Sequence, residues 1–193
     1  MPDVPRNRYI LFGTIAAVGC AVDLLTKAWF FSWSELRAGN VHWLWPGHVG
    51  FQLSLNEGAL FGMGQGNTWV FASLSVLAGC AIPCWLFYWR AARDLWLTVA
   101  LGAVMGGLLG NLYDRLGLPD RLWPGRAEGV ELPVFAVRDW MLVQWDDRLR
   151  WPNFNIADSL LVVGAMALVL HALCIPHSAG DTPDAASGIR PMG

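Results

Sequence analysis

The sequence predicts an all-α membrane protein, a four-transmembrane-helix bundle with a short sheet at the membrane surface. Three observations carry this expectation. Of 193 residues, 55% are hydrophobic and only 15% charged, against about 25% charged in soluble domains. Four apolar runs approach or exceed the ~20 residues that cross the hydrocarbon core. They are too long for strands and lack period-2 alternation, so they read as helices, which also satisfy every backbone polar group within lipid. Finally, the polar residues in and beside these runs are few, and an ionisable group at the membrane margin is costly enough to imply a role.

The first run, residues 9–33, holds Asp23 and Lys27. The second, 68–89, carries no charge before the Arg90 that follows it. The third, 95–113, is uncharged and rich in glycine, and the fourth, 154–175, opens on Asn155 and Asp158. Trp33, Trp69, Trp89 and Trp96 fall near span ends, where an interfacial belt places them. Arg6 and Arg8 precede the first span, and Arg90 and Arg93 fill the turn between the second and third. The positive-inside rule then puts both termini in the cytoplasm and the loops 34–67 and 114–153 outside. Loop 114–153 has six Arg, which runs against the rule, but the short basic turn is the cleaner signal.

In the first outer loop, residues 49–55 alternate in part after Pro46-Gly47, which suggests strands at the membrane surface. Residues 116–133 are rich in Gly, Pro and Arg and read as an outer-surface loop without a rigid element, mobile and able to fold over a cleft. Residues 1–175 read as one membrane-embedded unit and 176–193 as a polar, disordered tail.

Composition also excludes some functions. A net charge of −2 offers no basic field for nucleic acid. Cys20, Cys80, Cys84 and Cys174 lie within apolar runs, form no CxxC pair and read as buried thiols. Arg6 and Arg8 followed by an apolar run and Ala17-Val18-Gly19-Cys20 imitate a leader cleaved before a cysteine. The apolar character resumes after Lys27 and three more spans follow, so Cys20 reads as a membrane cysteine. His42, His48, His171 and His177 form no close ligand set, so neither metal nor cofactor is expected.

The candidate chemistry lies in two carboxyls. Asp158 opens the last span, and Asp139 lies upstream in Val137-Arg138-Asp139-Trp140. Two carboxyls that meet share one proton, which is the minimal kit for aspartic proteolysis. Other polar residues gather at the same end of the helices. Asp23 and Lys27 share a helix face at i, i+4, either as an ion pair turned into the bundle or as part of a site. Asn56, followed by Gly58, is either a turn residue or a hydrogen-bonding group for substrate backbone. Asn111 and Arg115 share a face at the end of the third span, with Asp114 between them. Asn155 either caps the last helix or faces one cavity with Asp158.

These residues form a pattern. Asp23-Leu24-Leu25-Thr26-Lys27, Asn56-x-Gly58-x-Leu60-Phe61, Gly106-Gly107-x-x-Gly110-Asn111-x-x-Asp114-Arg115, Val137-Arg138-Asp139-Trp140 and Phe154-Asn155-x-Ala157-Asp158-Ser159 occur in this order. The set resembles that of the lipoprotein signal peptidases (signal peptidase II) from Asp23 to Ser159. The resemblance implies a bacterial inner-membrane aspartic endopeptidase with a small extracytoplasmic β-sheet cradle and its active site near the outer face. It implies catalytic roles for Asp139 and Asp158. It implies supporting or substrate-binding roles for Asp23, Lys27, Asn56, Gly58, Asn111, Asp114, Arg115 and Asn155. The implied substrates are prolipoproteins, cleaved immediately before a diacylglyceryl-modified cysteine. The implied partners are membrane lipids and the cyclic-peptide inhibitors of the family, and the implied state is a monomer. The stretch from Arg115 to Asp139 is longer than usual for that family. Rival readings are a carboxylate-lined transporter or proton-coupled channel, and an inactive relative that binds lipidated peptides.

Overall fold

The computed structural model describes residues 3–58, 64–119, 122–124, 131–146 and 149–174. Four helices are long and apolar enough to cross a membrane: Arg6–Phe30, Thr68–Tyr88, Leu95–Arg115 and Ile156–Cys174. The expected spans are thus all present, with ends that shift for local reasons. The first helix, α1 (Arg6–Phe30), stops before Trp33, because the chain turns there into the short α2 (Ser34–Arg37). The second span is α3 (Thr68–Pro83) continued by a π-helical stretch, Cys84–Tyr88. Pro83 lacks an N–H to donate, which interrupts the i to i−4 ladder at that point. The third span, α4 (Leu95–Arg115), starts at the side chain of Asp94, which accepts from the amide of Leu97 at 3.2 Å. It runs two residues beyond the expected end, so Asp114 and Arg115 belong to the helix. The last, α5 (Ile156–Cys174), begins after Asn155.

The sheet is larger than the sequence suggests. β1 (His42–Trp45) and β2 (Val49–Asn56) come from the stretch between the first two spans, where strands were expected. β5 (Val137–Gln144) and β6 (Arg150–Phe154) come from the second loop and complete an antiparallel sheet of order β1-β2-β5-β6. Ser54 pairs with Asp139 and Leu55 with Arg138. Residues 116–133 depart from the loop expected there. β3 (Leu122–Pro124) and β4 (Glu131–Pro133) pair as a two-stranded hairpin. A separate two-stranded ribbon tolerates proline at its open edges, so Pro124 and Pro133 do not prevent pairing. Residues 59–63 and 125–130 and the tail expected over 176–193 lie outside the described residues.

Two apolar clusters organise the chain. One, with Phe12, Ala16, Leu101, Met105 and Leu108, lies within the helices. The other, with Phe30, Phe31, Leu36 and Trp140, joins the end of α1 to the sheet, and Phe30 stacks on Trp140 with ring centroids 3.9 Å apart. Along α1, Asp23 and Lys27 fall between these clusters.

In lipid there is little hydrophobic drive between helices, so close backbone packing of small residues carries association. Helix α4 is the centre of the bundle and supplies these small residues. A Cβ on Gly107 would collide with the carbonyl oxygen of Ala157 and lie 3.0 Å from Leu161 Cγ. A Cβ on Gly110 would collide with the carboxylate of Asp23. Gly79, by contrast, has only Leu108 Cδ2 at 3.6 Å, an ordinary contact. Gly107→Ala should therefore displace the start of α5 and destabilise the protein by about 1–3 kcal/mol, whereas Gly79→Ala should be neutral or slightly stabilising. Thermal unfolding of the two variants in detergent checks this, and equal melting points would refute the close-packing account.

Candidate active site

The residues singled out in the sequence converge at one end of the bundle, where α1 and α4 end, α5 begins and the sheet attaches. The lowest layer is ionic. Lys27 Nζ lies 2.7 Å from Asp23 Oδ2 and 3.1 Å from Asp114 Oδ2, and all three side chains are fully buried. Its remaining proton goes to Asn111 Oδ1 at 2.9 Å. Burying these charges is tolerable only because each one is paired.

Lysine has donors alone, and this has a directional consequence. Asn111 must turn its oxygen toward Lys27, so its NH2 group points away, where it donates to Asp158 Oδ1 at 2.8 Å. The same oxygen accepts from Asn155 Nδ2 at 3.2 Å. Asn155 is the hub of the next layer, and its Nδ2 also donates to Asp139 Oδ1 at 2.6 Å. The side-chain oxygen of Asn155 accepts from the amide of Asp158 at 2.9 Å, and Asp158 Oδ2 accepts from the amide of Asn155 at 3.2 Å. This reciprocal pair is a capping box. Of the two alternatives for Asn155 on sequence, the cap is formed, and the fully buried side chain uses its NH2 group to reach Asp139. Asp23 ties down the same helix start by accepting from the amide of Ala157 at 2.9 Å.

Asn56 takes the turn role considered for it and also contacts the site. Its oxygen accepts from the amide of Gly58 at 2.9 Å, a local turn, and its side chain also hydrogen-bonds Asp139. Arg115 donates to the carbonyl of Gly58 at 2.9 Å, and its guanidinium stands over the Phe71 ring at 5.8 Å. Its Nε is buried with no hydrogen-bond partner among the described residues. All ten sequence-derived site residues therefore belong to one connected assembly.

The two aspartates differ in setting. Asp139 is 2% exposed on β5, and burial first, then the negative charge of Asp158, pushes its carboxyl up to about 8. Asp158 is half-buried and borders a cavity of about 260 Å³ lined by Trp151, Phe154, Ser159 and Val162. An apolar slot thus opens beside a carboxyl that is itself linked through Asn155 to a second, more deeply buried one.

Sequence reading did not assign a role to Arg138. Its Nε and NH2 reach Asp114 Oδ1 at 2.9 and 2.7 Å, and its amide reaches Asp114 Oδ2 at 3.1 Å. It is 5% exposed. This clamp fastens β5 to α4 one residue before Asp139. The available signal was a second charged residue, next to Asp139, in a segment that is mostly Val, Trp, Met and Leu.

Four membrane-length helices packed in this way define a multi-pass membrane protein. Comparison with known proteins gives the particular family. The pattern described as Signal peptidase (SPase) II matches residues 15–174. A lipoprotein signal peptidase from Rhodopirellula baltica is 46% identical over 187 residues, covering 92% of this chain and 79% of that protein. One from Pseudomonas aeruginosa (strain PAO1) is 32% identical over 174 residues, covering 88% of this chain and 92% of that protein. Among solved structures, a bacterial membrane enzyme determined by the in meso method at 1.9 Å resolution superposes with a TM-score of 0.64 at 23% identity, over 83% of this chain and 91% of that one. The chain belongs to the signal peptidase II family, and it is a multi-pass membrane protease.

Arg138→Met should leave Asp114 Oδ1 without its guanidinium. Breaking a buried pair costs about 3–5 kcal/mol, so the melting point should fall and turnover with it. Arg138→Lys, which keeps the charge but not the fork, should lie between. Thermal unfolding and cleavage rates measured together check this, and a variant with wild-type values for both would remove the clamp from the account.

The raised Asp139 carboxyl has a defined pH signature. Between an unfolded value near ~4 and about 8 in the folded protein, the folded state holds a proton that the unfolded state has released. Stability from this group is therefore full at low pH and is lost as pH rises across that window. Asp139→Asn should flatten this decline. Melting points of both proteins from pH 5 to 9 give the comparison, and parallel curves would contradict it.

Proposed function

We propose that the chain cleaves the signal peptide from diacylglyceryl-modified prolipoproteins immediately before the lipidated cysteine, using Asp139 and Asp158 to activate water. The observation that carries this reading is the link Asp139–Asn155–Asp158, in which one amide side chain contacts a strand-borne carboxyl and caps the helix that bears the other. Membership of the signal peptidase II family and the names of the relatives support the substrate class.

In the first step a water held between the carboxyls loses a proton to the ionised one as its oxygen attacks the scissile carbonyl carbon. The protonated carboxyl donates to the carbonyl oxygen, giving a neutral gem-diol. Collapse of the gem-diol re-forms the carbonyl, breaks the C–N bond and delivers a proton to the departing amine. The carboxyl pair returns to its singly protonated state. Asp158, which accepts from Asn111 and Asn155, suits the base role. Asp139, raised by burial, suits the acid role, although the proton belongs to the pair as a unit. Asn56, Gly58 and the spare Nε of Arg115 would hold the substrate backbone, which converts binding into orientation. The apolar slot bordered by Trp151, Phe154 and Val162 offers substrate an apolar wall beside Asp158.

Residues 1–175 would act as one peptidase unit of the bacterial inner membrane, monomeric, with both termini in the cytoplasm and the site near the outer face. Arg6, Arg8, Arg90 and Arg93 lie at the helix ends opposite the site, which supports that orientation. Cyclic peptides that occupy the cleft would compete with substrate.

Purified chain, reconstituted in lipid, should release the leader from a diacylglyceryl-modified prolipoprotein peptide. Asp139→Asn and Asp158→Asn should each abolish release with the melting profile retained, since the pair works as one device. Near-normal turnover in either variant would sink the proposal. Cleavage by the wild type should also decline as pH rises through about 8, where the carboxyl of Asp139 loses its proton.

A further inference from the structure

We propose that a phospholipid binds at the end of the bundle away from the two aspartates, with an acyl chain in a cleft between α1 and α5 and its phosphate on Arg8. A cavity of about 500 Å³ lies there, lined by Val99 and Ala103 of α4 and by Val163 and Ala167 of α5. Small-molecule sites have about this size, ~300–1,000 Å³. Val99 and Val163 are 42% and 62% exposed, so the cleft is open along its side. Helix packing produces it. Gly102 and Gly106 of α4 approach α1, while Ala100 and Gly107 approach α5 at Gly164 and Ala157. At the helical repeat, Val99 and Ala103 fall between those two stripes, and the alanines at 103 and 167 leave the space unfilled.

The length of the cleft selects a lipid over a helix. Its inner end is shut, because a Cβ on Gly19 of α1 would lie 2.9 Å from Leu160 Cδ1 of α5 and 3.6 Å from Gly106 Cα. Three helices thus meet one turn beyond Ala103 and Val163. At the other end stands Asp94, nine residues before Ala103. That is a rise of about 14 Å, roughly half of the ~30 Å hydrocarbon core. A membrane-spanning helix of a partner needs the full height, whereas an acyl chain needs one leaflet.

The mouth is polar and fixed. His171 Nε2 lies 2.7 Å from Asp94 Oδ2, the Trp96 ring stacks on the His171 ring at 6.0 Å, and the Trp96 indole donates to the carbonyl of Ala167 at 2.7 Å. These ties join the start of α4 to the end of α5. The charge around them favours a phosphate. Among the described residues this end carries Arg6, Arg8, Arg90 and Arg93 against Asp3 and Asp94, and Asp3 is already paired with Arg90 at 3.5 Å. Arg8 stands in the right place. It shares one face of α1 with Phe12, Ile15 and Gly19, the face that meets α4 and α5. Ile15, Gly19 and Asp23 meet Gly102, Gly106 and Gly110 in turn, so α1 and α4 run parallel. One turn before Phe12, Arg8 therefore comes level with residues 95–98, at the mouth. Its Nε is buried and has no hydrogen-bond partner among the described residues. A phosphate oxygen supplies one, and basic pockets between membrane helices are where phospholipid headgroups bind. Bound there, the lipid braces α1, which bears Lys27, against α5, which bears Asp158.

The test uses the full chain, stripped of lipid in detergent, given dioleoyl phosphatidylglycerol and weighed by native mass spectrometry. One tightly held phospholipid per chain is expected. Ala103→Phe, which fills the cleft, should weaken its binding by about tenfold or more. Val169→Phe, at an exposed position of α5 that does not line the cleft, should leave it unchanged. Arg8→Gln should weaken binding of phosphatidylglycerol but not of dioleoylglycerol, which has no phosphate. The phospholipid should also raise the melting point of the wild type and of Val169→Phe, and not that of Ala103→Phe. Should Ala103→Phe fail to fold, the comparison of the two lipids on wild type and Arg8→Gln decides alone. Equal binding by all these proteins would overturn the proposal, as would dioleoylglycerol binding as tightly as phosphatidylglycerol to the wild type. Dimers or peptide adducts that Ala103→Phe abolishes would give the cleft to a protein segment and overturn it too.

Discussion

The buried ammonium of Lys27 is the constraint on which the rest of the site depends. A cation within a membrane bundle must be matched by acceptors on every side, and here those acceptors come from both α1 and α4. Asp23 sits one turn earlier on the same helix, and Asp114 and Asn111 come from the central helix. The requirement for acceptors turns the amide of Asn111 toward Asp158. It also demands that α1 approach α4 closely, which the missing side chain of Gly110 permits. Packing and electrostatics are here one condition rather than two.

From this base the polar assembly grows toward the sheet. Asp114 shares its second oxygen between Lys27 and the amide of Arg138, while the guanidinium takes the first. A carboxylate placed between a helix-borne and a strand-borne cation fixes the strand to the bundle. Asp139 follows Arg138 directly and is delivered to Asn155. The capping box at the start of α5 does the same for Asp158, because its carboxylate accepts from the amide of Asn155 while its own amide donates to the Asn155 side chain. The polar layer lies between two apolar clusters, one among the helices and one beneath the sheet, so neither partner element can drift without unpacking a core.

The surroundings of the two carboxyls explain why the pair is asymmetric. Asp139 is buried on β5, and burial pushes its carboxyl up to about 8. Asp158 is less enclosed and borders an apolar slot.

Much of this was legible in the order of residues. Four apolar runs of membrane length define the helices, because lipid leaves the backbone no other way to satisfy its polar groups. The sparse charges were informative for the same reason: Asp23, Lys27, Asp114 and Asp158 are too costly at those positions to be incidental. Spacing placed Asn155 with Asp158 and Asn111 with Arg115, since helical periodicity alone puts such pairs on one face. What spacing does not contain is the meeting of different elements. β5 is buried on both faces along much of its length, so it lacks the alternation that would announce a strand, and the β3–β4 ladder is held by pairing that Gly and Pro content obscures. Arg138 looked like a neighbour of Asp139 and became a clamp only when Asp114 arrived from a helix more than twenty residues earlier. The choice between cap and site for Asn155, and between turn and site for Asn56, likewise waited on tertiary structure. A side-chain amide has both donors and acceptors, and only its three-dimensional neighbours decide how they are shared.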